Sequence, residues 1–236
     1  MRIRLALVAF VVSLAAACGG GEPEHSVLFV GNSLTFGNDV PSMVAAIADA
    51  NGVPIEWEMI ASGGARLSDH RADPAVERAL RSGDFDVVVF QEQSEMPSVP
   101  HIAESQTIPA AVALDAIADA AGVRVIWYQT WGHRNGSAWS GHASYDTMFA
   151  EIADTYAEIG RVTGGEVAGA GWRWDRVLSR GIAVDLYDSD GYHASPAGSY
   201  LAAVAIADTL LVGQSLSEAP SVGGVDGDTA WLLMSS

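Results

Sequence analysis

Five short apolar runs, separated by stretches with helical spacing, leave this chain few folds to choose from. The runs are Ser26 to Val30, Ile55 to Ile60, Phe85 to Phe90, Val123 to Tyr128 and Glu166 to Ala168, and each ends in a polar or glycine-rich loop. Strands that are apolar on both faces and alternate with helices predict a parallel sheet covered on both sides. The expected architecture is therefore α/β: a three-layer α/β/α sandwich on a five-stranded parallel sheet. With 236 residues and 49% hydrophobic content, the chain can bury one such core.

Several helix ends are readable. Pro41 suits a first helical turn, and Asn51-Gly52 supplies a left-handed stop. Between Tyr145 and Ile159 the apolar residues Tyr145, Met148, Phe149, Ile152, Tyr156 and Ile159 recur at helical spacing, with Asp146, Glu151, Asp154 and Glu158 on the other side. Ser195-Pro196 reads as an N-cap and first-turn proline opening an almost wholly apolar helix to about Val212, with Asp208 as its exception. No internal repeat is visible. The folded domain is expected over residues 26–213, followed by a Gly- and Ser-rich tail, 214–236, in which only Trp231 to Met234 is apolar enough to dock.

At the other end, Met1-Arg2-Ile3-Arg4 precedes an apolar run from Leu5 to Ala17 and then Cys18-Gly19-Gly20-Gly21. A basic start, an apolar core too short to span a bilayer and small residues before a cut site predict a signal peptide over 1–17 and an exported protein. Cys18 is the single cysteine, which excludes an intramolecular disulfide. Leu14-Ala15-Ala16-Ala17 before Cys18 resembles the lipobox of bacterial lipoproteins, with its leucine one position further from the cysteine than usual. The expectation is lipidation at Cys18 and anchoring at the bacterial cell envelope, with plain secretion as the alternative; residues 18–25 then form a tether. Any membrane contact would run through that anchor. A net charge of −17, with all 12 basic residues arginine, argues against a nucleic-acid partner.

In open parallel sheets, ligands gather beyond the carboxyl ends of the strands. Ser33 follows the first run, Gly63-Gly64 the second, Gln91 to Ser94 the third and Gln129 to His133 the fourth, so all fall on one rim. A serine hydroxyl there becomes a nucleophile only beside a base that is itself oriented by a third group. Asp190-Gly191-Tyr192-His193, just ahead of the Ser195-capped helix, offers a carboxylate and an imidazole on a tight loop.

Taken together, Gly31-Asn32-Ser33-Leu34-Thr35 and Asp190-Gly191-Tyr192-His193 resemble the two end motifs of the SGNH/GDSL hydrolase superfamily, G-D-S and D-x-x-H, with Asn in place of the first Asp. The resemblance runs from about Val27 to Leu211 and implies the flavodoxin-like fold of that family. It also implies Ser33 as nucleophile, His193 as general base and Asp190 as its partner, with no cofactor. The G-x-S-x-G motif of the α/β-hydrolases is missing. For the oxyanion hole, the resemblance implies the Ser33 N–H and a glycine after the second strand, Gly64 in preference to Gly63. The third donor is usually the Asn of G-x-N-D. Here that position reads Gln91-Glu92-Gln93-Ser94, and register puts Gln93, whose carboxamide can donate the same bond, on the Asn. VVVFQEQS, the Thr130 to Gly132 TWG and LYDSDGYHASPAGSYLAA look like a bacterial branch in which Gln stands for Asn.

Asn32, Trp131 and His133 are candidates for contact with substrate. Trp131, Trp139, Trp172 and Trp174 lie in or next to rim loops, where a ring could stack on a sugar or fill the core. Glu92 and Glu95 read either as a glycosidase-like carboxylate pair or, more simply, as solvent-facing charges. Arg134 and Arg173 read as partners of an anionic substrate or of nearby carboxylates. His25, His70, His101, His133 and His142 lack metal-ligand spacing. The implied activity is that of an exported serine hydrolase acting on a small-molecule or glycan ester, a carbohydrate O-acyl or acetyl ester first. A lipase or short-chain acyl esterase, or a catalytically silent carbohydrate-binding lipoprotein, is the alternative.

Overall fold

The computed structural model describes residues 23–236. The expected signal peptide, Cys18 and most of the expected tether lie outside the described residues. Five parallel strands, β1 His25–Gly31, β2 Ile55–Ala61, β3 Val87–Phe90, β4 Arg124–Gln129 and β5 Glu166–Gly169, form one sheet in the order β2-β1-β3-β4-β5. The expected strands lie within two residues of these. The third starts at Val87 rather than Phe85 because the Asp86 carboxylate turns back to accept from the Ser26 N–H at 2.9 Å and the Ser26 hydroxyl at 3.1 Å.

The main helices are α1 Ser33–Phe36, α2 Val40–Ala50, α3 Leu67–Ala72, α4 Pro74–Leu80, α5 Ile108–Ala121, α6 Tyr145–Thr163, α7 Ala170–Ser179, α8 Pro196–Leu210 and α9 Gly227–Ser235. Alternate strand residues divide the core in two. Val27, Phe29, Val89, Ile126 and Tyr128 pack with α2, α7 and α8 on one face, while Leu28, Val30, Val88, Phe90 and Trp127 pack with α3 to α6 on the other. This is the three-layer sandwich that the apolar strands require.

Helix α8 is apolar all round because it is covered all round, lying between the sheet and helices α2, α7 and α9. The Ser195 hydroxyl caps it by accepting from the Gly198 N–H at 3.1 Å, and Asp208, its charged exception, pairs with Arg173 at 2.8 Å. The tail docks over more residues than its apolar end suggests. Asp226 caps α9, Val225, Ala230 and Leu233 are buried, and Trp231 points to solvent.

Candidate active site

The loop after β1 is held from three directions. Asn32 caps α1 with its Oδ1 accepting from the Leu34 N–H at 3.0 Å, and its Nδ2 donates to the Ala65 carbonyl at 2.9 Å. Gln91, wholly buried at the end of β3, accepts at Oε1 from the Asn32 N–H at 2.9 Å and from the Thr35 hydroxyl at 2.8 Å. His70 bonds through Nε2 to the Gly31 carbonyl at 2.9 Å. Gly31 itself has no room for a side chain: a Cβ there would lie 2.3 Å from Thr35 Oγ1 and 2.7 Å from Gln91 Oε1. Ser33 therefore begins α1 on a backbone with little freedom.

His70 carries a pH dependence of its own. Burial pushes its pKa below the ordinary value, against the opposing pull of the Gly31 carbonyl and the charges of Asp69 and Asp73. The folded chain then resists a proton that the unfolded chain accepts near 6.5. The stability this contributes is complete above that value and is lost as the pH falls from it toward the lower folded pKa. We expect the melting temperature to fall between about pH 7 and pH 5, and His70→Gln to flatten that fall. An identical slope in the variant would remove His70 as its source.

The loop between α7 and α8 brings the other half of the site. His193 Nδ1 lies 2.6 Å from Asp190 Oδ2, and His193 Nε2 lies 2.9 Å from Ser33 Oγ. With the Nδ1 proton directed at the carboxylate, Nε2 is left to accept from the serine hydroxyl. Asp190 Oδ1 also accepts from the N–H groups of Tyr192, at 3.0 Å, and His193, at 2.9 Å. Burial opposes ionisation of Asp190. The Tyr192 N–H, together with the His193 ring and N–H, outweighs it and holds the carboxyl below its usual range. Gly191 makes the bend in a left-handed conformation, and its carbonyl accepts from the Arg134 N–H at 2.8 Å. Asn38, itself at positive φ, joins the two halves by donating to the Ala194 carbonyl at 2.9 Å and the Ser199 hydroxyl at 3.0 Å.

Ser33 and His193 open into a cleft of about 330 Å³ shared with Gly63, Gly64, Gln93, Ser94 and Tyr192. Gly64 is in the left-handed region, at φ 69°. Gln93 is oriented by its Oε1, which accepts from the N–H groups of Glu95 at 2.8 Å and Met96 at 3.2 Å. Its Nε2 makes only a long contact, 3.4 Å, to Ser94 Oγ. A larger groove, about 840 Å³, runs between β2 and helices α3 and α4 and shares only Gly63 and Gly64 with that cleft. It holds neither Ser33 nor His193, so the chemistry and not the volume singles out the smaller cleft.

Three expectations for substrate contact need correction. Trp131 is buried in the core, stacked on Trp174 with ring centroids 3.9 Å apart, and its Nε1 donates to the Tyr192 carbonyl at 3.0 Å. It supports the Asp190 to His193 loop from beneath and offers no face to a ligand. Asn32 borders the cleft, but both ends of its carboxamide are occupied by Leu34 and Ala65. His133 stands behind Tyr192, whose ring centroid is 5.2 Å away, and contacts Ser94 Oγ at 3.2 Å. Tyr192, against His193 with ring centroids 4.0 Å apart, is the aromatic wall of the cleft.

Among the other tryptophans, Trp174 is in the core while Trp139 and Trp172 are exposed. Arg134 and Arg173 pair with Asp185 and Asp208. Glu92 does not face solvent: it is 2% exposed. Glu95 accepts from the Ser137 hydroxyl. Glu92 and Gln91 are the residues whose structural work sequence reasoning missed; the signal was polar side chains continuing directly from an apolar strand, VVVFQEQS.

Comparison with known proteins bears on the fold and the family. No protein-family model and no curated protein matches the sequence. Among solved structures, a protein described as an SGNH hydrolase from Slackia heliotrinireducens is 32% identical, with a TM-score of 0.66, over 79% of this chain and 98% of its own. A DUF4886 family protein from Bacteroides uniformis shares the fold at 18% identity and a TM-score of 0.71, over 89% of this chain and 93% of its own. An acetylxylan esterase from Geobacillus stearothermophilus does so at 15% identity and a TM-score of 0.60, over 84% of this chain and 98% of its own. Identity at that level along almost the whole Slackia protein, on the same layered sheet, means that this chain belongs to the SGNH hydrolases.

Proposed function

We propose that the protein is a serine esterase that removes a short acyl group, acetyl first, from a carbohydrate ester through an acyl-enzyme. The observation that carries this reading is the continuous line of hydrogen bonds from Asp190 through His193 to Ser33, at 2.6 and 2.9 Å. Ser33 Oγ attacks the carbonyl carbon while His193 Nε2 takes its proton, and Asp190 steadies the resulting imidazolium. The oxyanion is met by the N–H groups of Ser33 and Gly64 and by the Gln93 carboxamide, whose oxygen is already engaged by Glu95 and Met96. Collapse expels the alcohol, which takes the proton from His193. Water then attacks the acyl-enzyme by the same proton route and releases the acid.

The small volume at Ser33, about 330 Å³, supports a short acyl group. The fold shared with an acetylxylan esterase supports a glycan as the alcohol side. The basic start, apolar run and cysteine of the N-terminus support export and lipid anchoring through Cys18.

A fluorophosphonate probe tests the nucleophile. It should label the wild type at Ser33 and fail on Ser33→Ala, and the same pair should differ by orders of magnitude on acetylated sugars and p-nitrophenyl acetate. Folded wild type that takes no label would favour ligand binding without turnover.

A further inference from the structure

Glu92 is the buried carboxylate for which the chemistry above has no use. Its Oε1 accepts two backbone N–H groups, Leu67 at 3.0 Å and Gln93 at 2.7 Å. Leu67 opens α3, immediately after the Gly63–Gly64 turn, and Gln93 belongs to the loop after β3. One oxygen thus joins two of the loops that border the cleft. The other two pairs among the loops after β1, β2 and β3 are joined in the same manner: Asn32 Nδ2 ties the β1 loop to Ala65, and Gln91 Oε1 ties the end of β3 to Asn32. The three ties join those three loops to one another, and Glu92 is the member linking the two that carry Gly64 and Gln93.

We propose that Glu92 is a positioning residue, which fixes the distance between the Gly64 N–H and the Gln93 carboxamide so that both meet the same developing oxyanion. The inference rests on the reading of Ser33 as nucleophile. A group that only accepts suits the task, because both backbone partners are donors and a carboxylate oxygen can serve two at once. Buried N–H groups deprived of their acceptor would each carry a desolvation penalty, and the loops would shift to find other partners. Burial also pushes the Glu92 carboxyl above its usual range, against the Gln93 and Leu67 N–H groups, the nearby Thr107 hydroxyl and the charge of Arg66. The property the site needs is the acceptor geometry, one oxygen within reach of both N–H groups.

Two substitutions separate geometry from charge. Glu92→Gln keeps an acceptor oxygen at the same reach and removes the charge; Glu92→Asp keeps the charge and withdraws the acceptor by one methylene. On p-nitrophenyl acetate, Glu92→Asp should lower kcat by about 10²-fold with KM within about twofold, the scale expected when reacting groups are displaced by about 1 Å. Gln93→Ala should lower kcat in the same manner, whereas Glu92→Gln should stay within about threefold of wild type.

Wild-type kcat in Glu92→Asp, or a loss in Glu92→Gln equal to that of Glu92→Asp, would overturn the proposal. Circular dichroism and melting of each variant identify a folding failure; if Glu92→Asp fails to fold, Glu92→Gln decides alone, by keeping or losing kcat. Ser33→Ala in the same assay keeps the two ideas apart. An active Ser33→Ala removes the nucleophile reading, while an inactive Ser33→Ala beside a fully active Glu92→Asp removes only the role of Glu92.

Discussion

Replacing His193 by alanine will lower kcat for ester hydrolysis by roughly four to six orders of magnitude while leaving the fold intact. The size follows from how the site works as a unit. Without the imidazole, Ser33 has no acceptor for its proton in the attack and the departing alcohol has no donor. What remains is the modest rate that bound substrate and oxyanion donors sustain. Stability changes little because the His193 side chain is 29% exposed, and its backbone N–H keeps the bond to Asp190 Oδ1 at 2.9 Å. Steady-state kinetics and a melting curve on the purified variant check both halves. A variant that keeps more than about a hundredth of wild-type kcat would take the general-base role away from His193.

Trp131→Ala will produce the largest loss of stability expected here, about 3–5 kcal/mol. The indole is 1% exposed and lies almost parallel to Trp174, at an interplanar angle of 9°. Trp174 in turn meets Tyr187 edge-on at 5.1 Å, so removing one ring leaves a void that two others cannot close. For a domain of this size the melting temperature should drop by roughly 6–20 °C. The variant also strips the Tyr192 carbonyl of its indole donor, which lies one residue from His193, so kcat should fall while KM changes little. An unchanged melting temperature with a raised KM would instead put the ring against substrate.

These two residues mark what the sequence discloses and what it hides. The five strands were readable because apolar runs ending in polar loops are local signals. The start of α8 was readable because a serine followed by proline leaves its capping geometry in the sequence. Ser33 was legible for a topological reason, since in a parallel sheet every strand delivers its loop to the same rim; His193, which follows no strand, was legible from the D-x-x-H motif ahead of the Ser195 cap. Side-chain direction beyond a strand end has no such rule. Trp131 sits two residues past β4, where strand alternation no longer applies, and only the position of Trp174 on α7 shows that it turns inward. Glu92 deceived for a related reason. A loop carboxylate ordinarily faces water, and the N–H groups that hold this one belong partly to Leu67, a residue 25 positions earlier. Asn32 was found in the right place with the wrong duty, since a motif marks position and not the direction of an amide.

The lineage of the site has a bearing on when the protein can first act. Ser33 opens the short helix that follows the first strand to be made, and His193 stands 160 residues later, on the loop that enters α8. Helix α8 packs on β4, β5, α2, α7 and α9, so His193 takes its place only once those elements have assembled around it. A partly made chain that lacks α8 holds Ser33 without the base proposed for it. On the proposed mechanism, turnover awaits the docking of α8, and its onset during refolding would time that step.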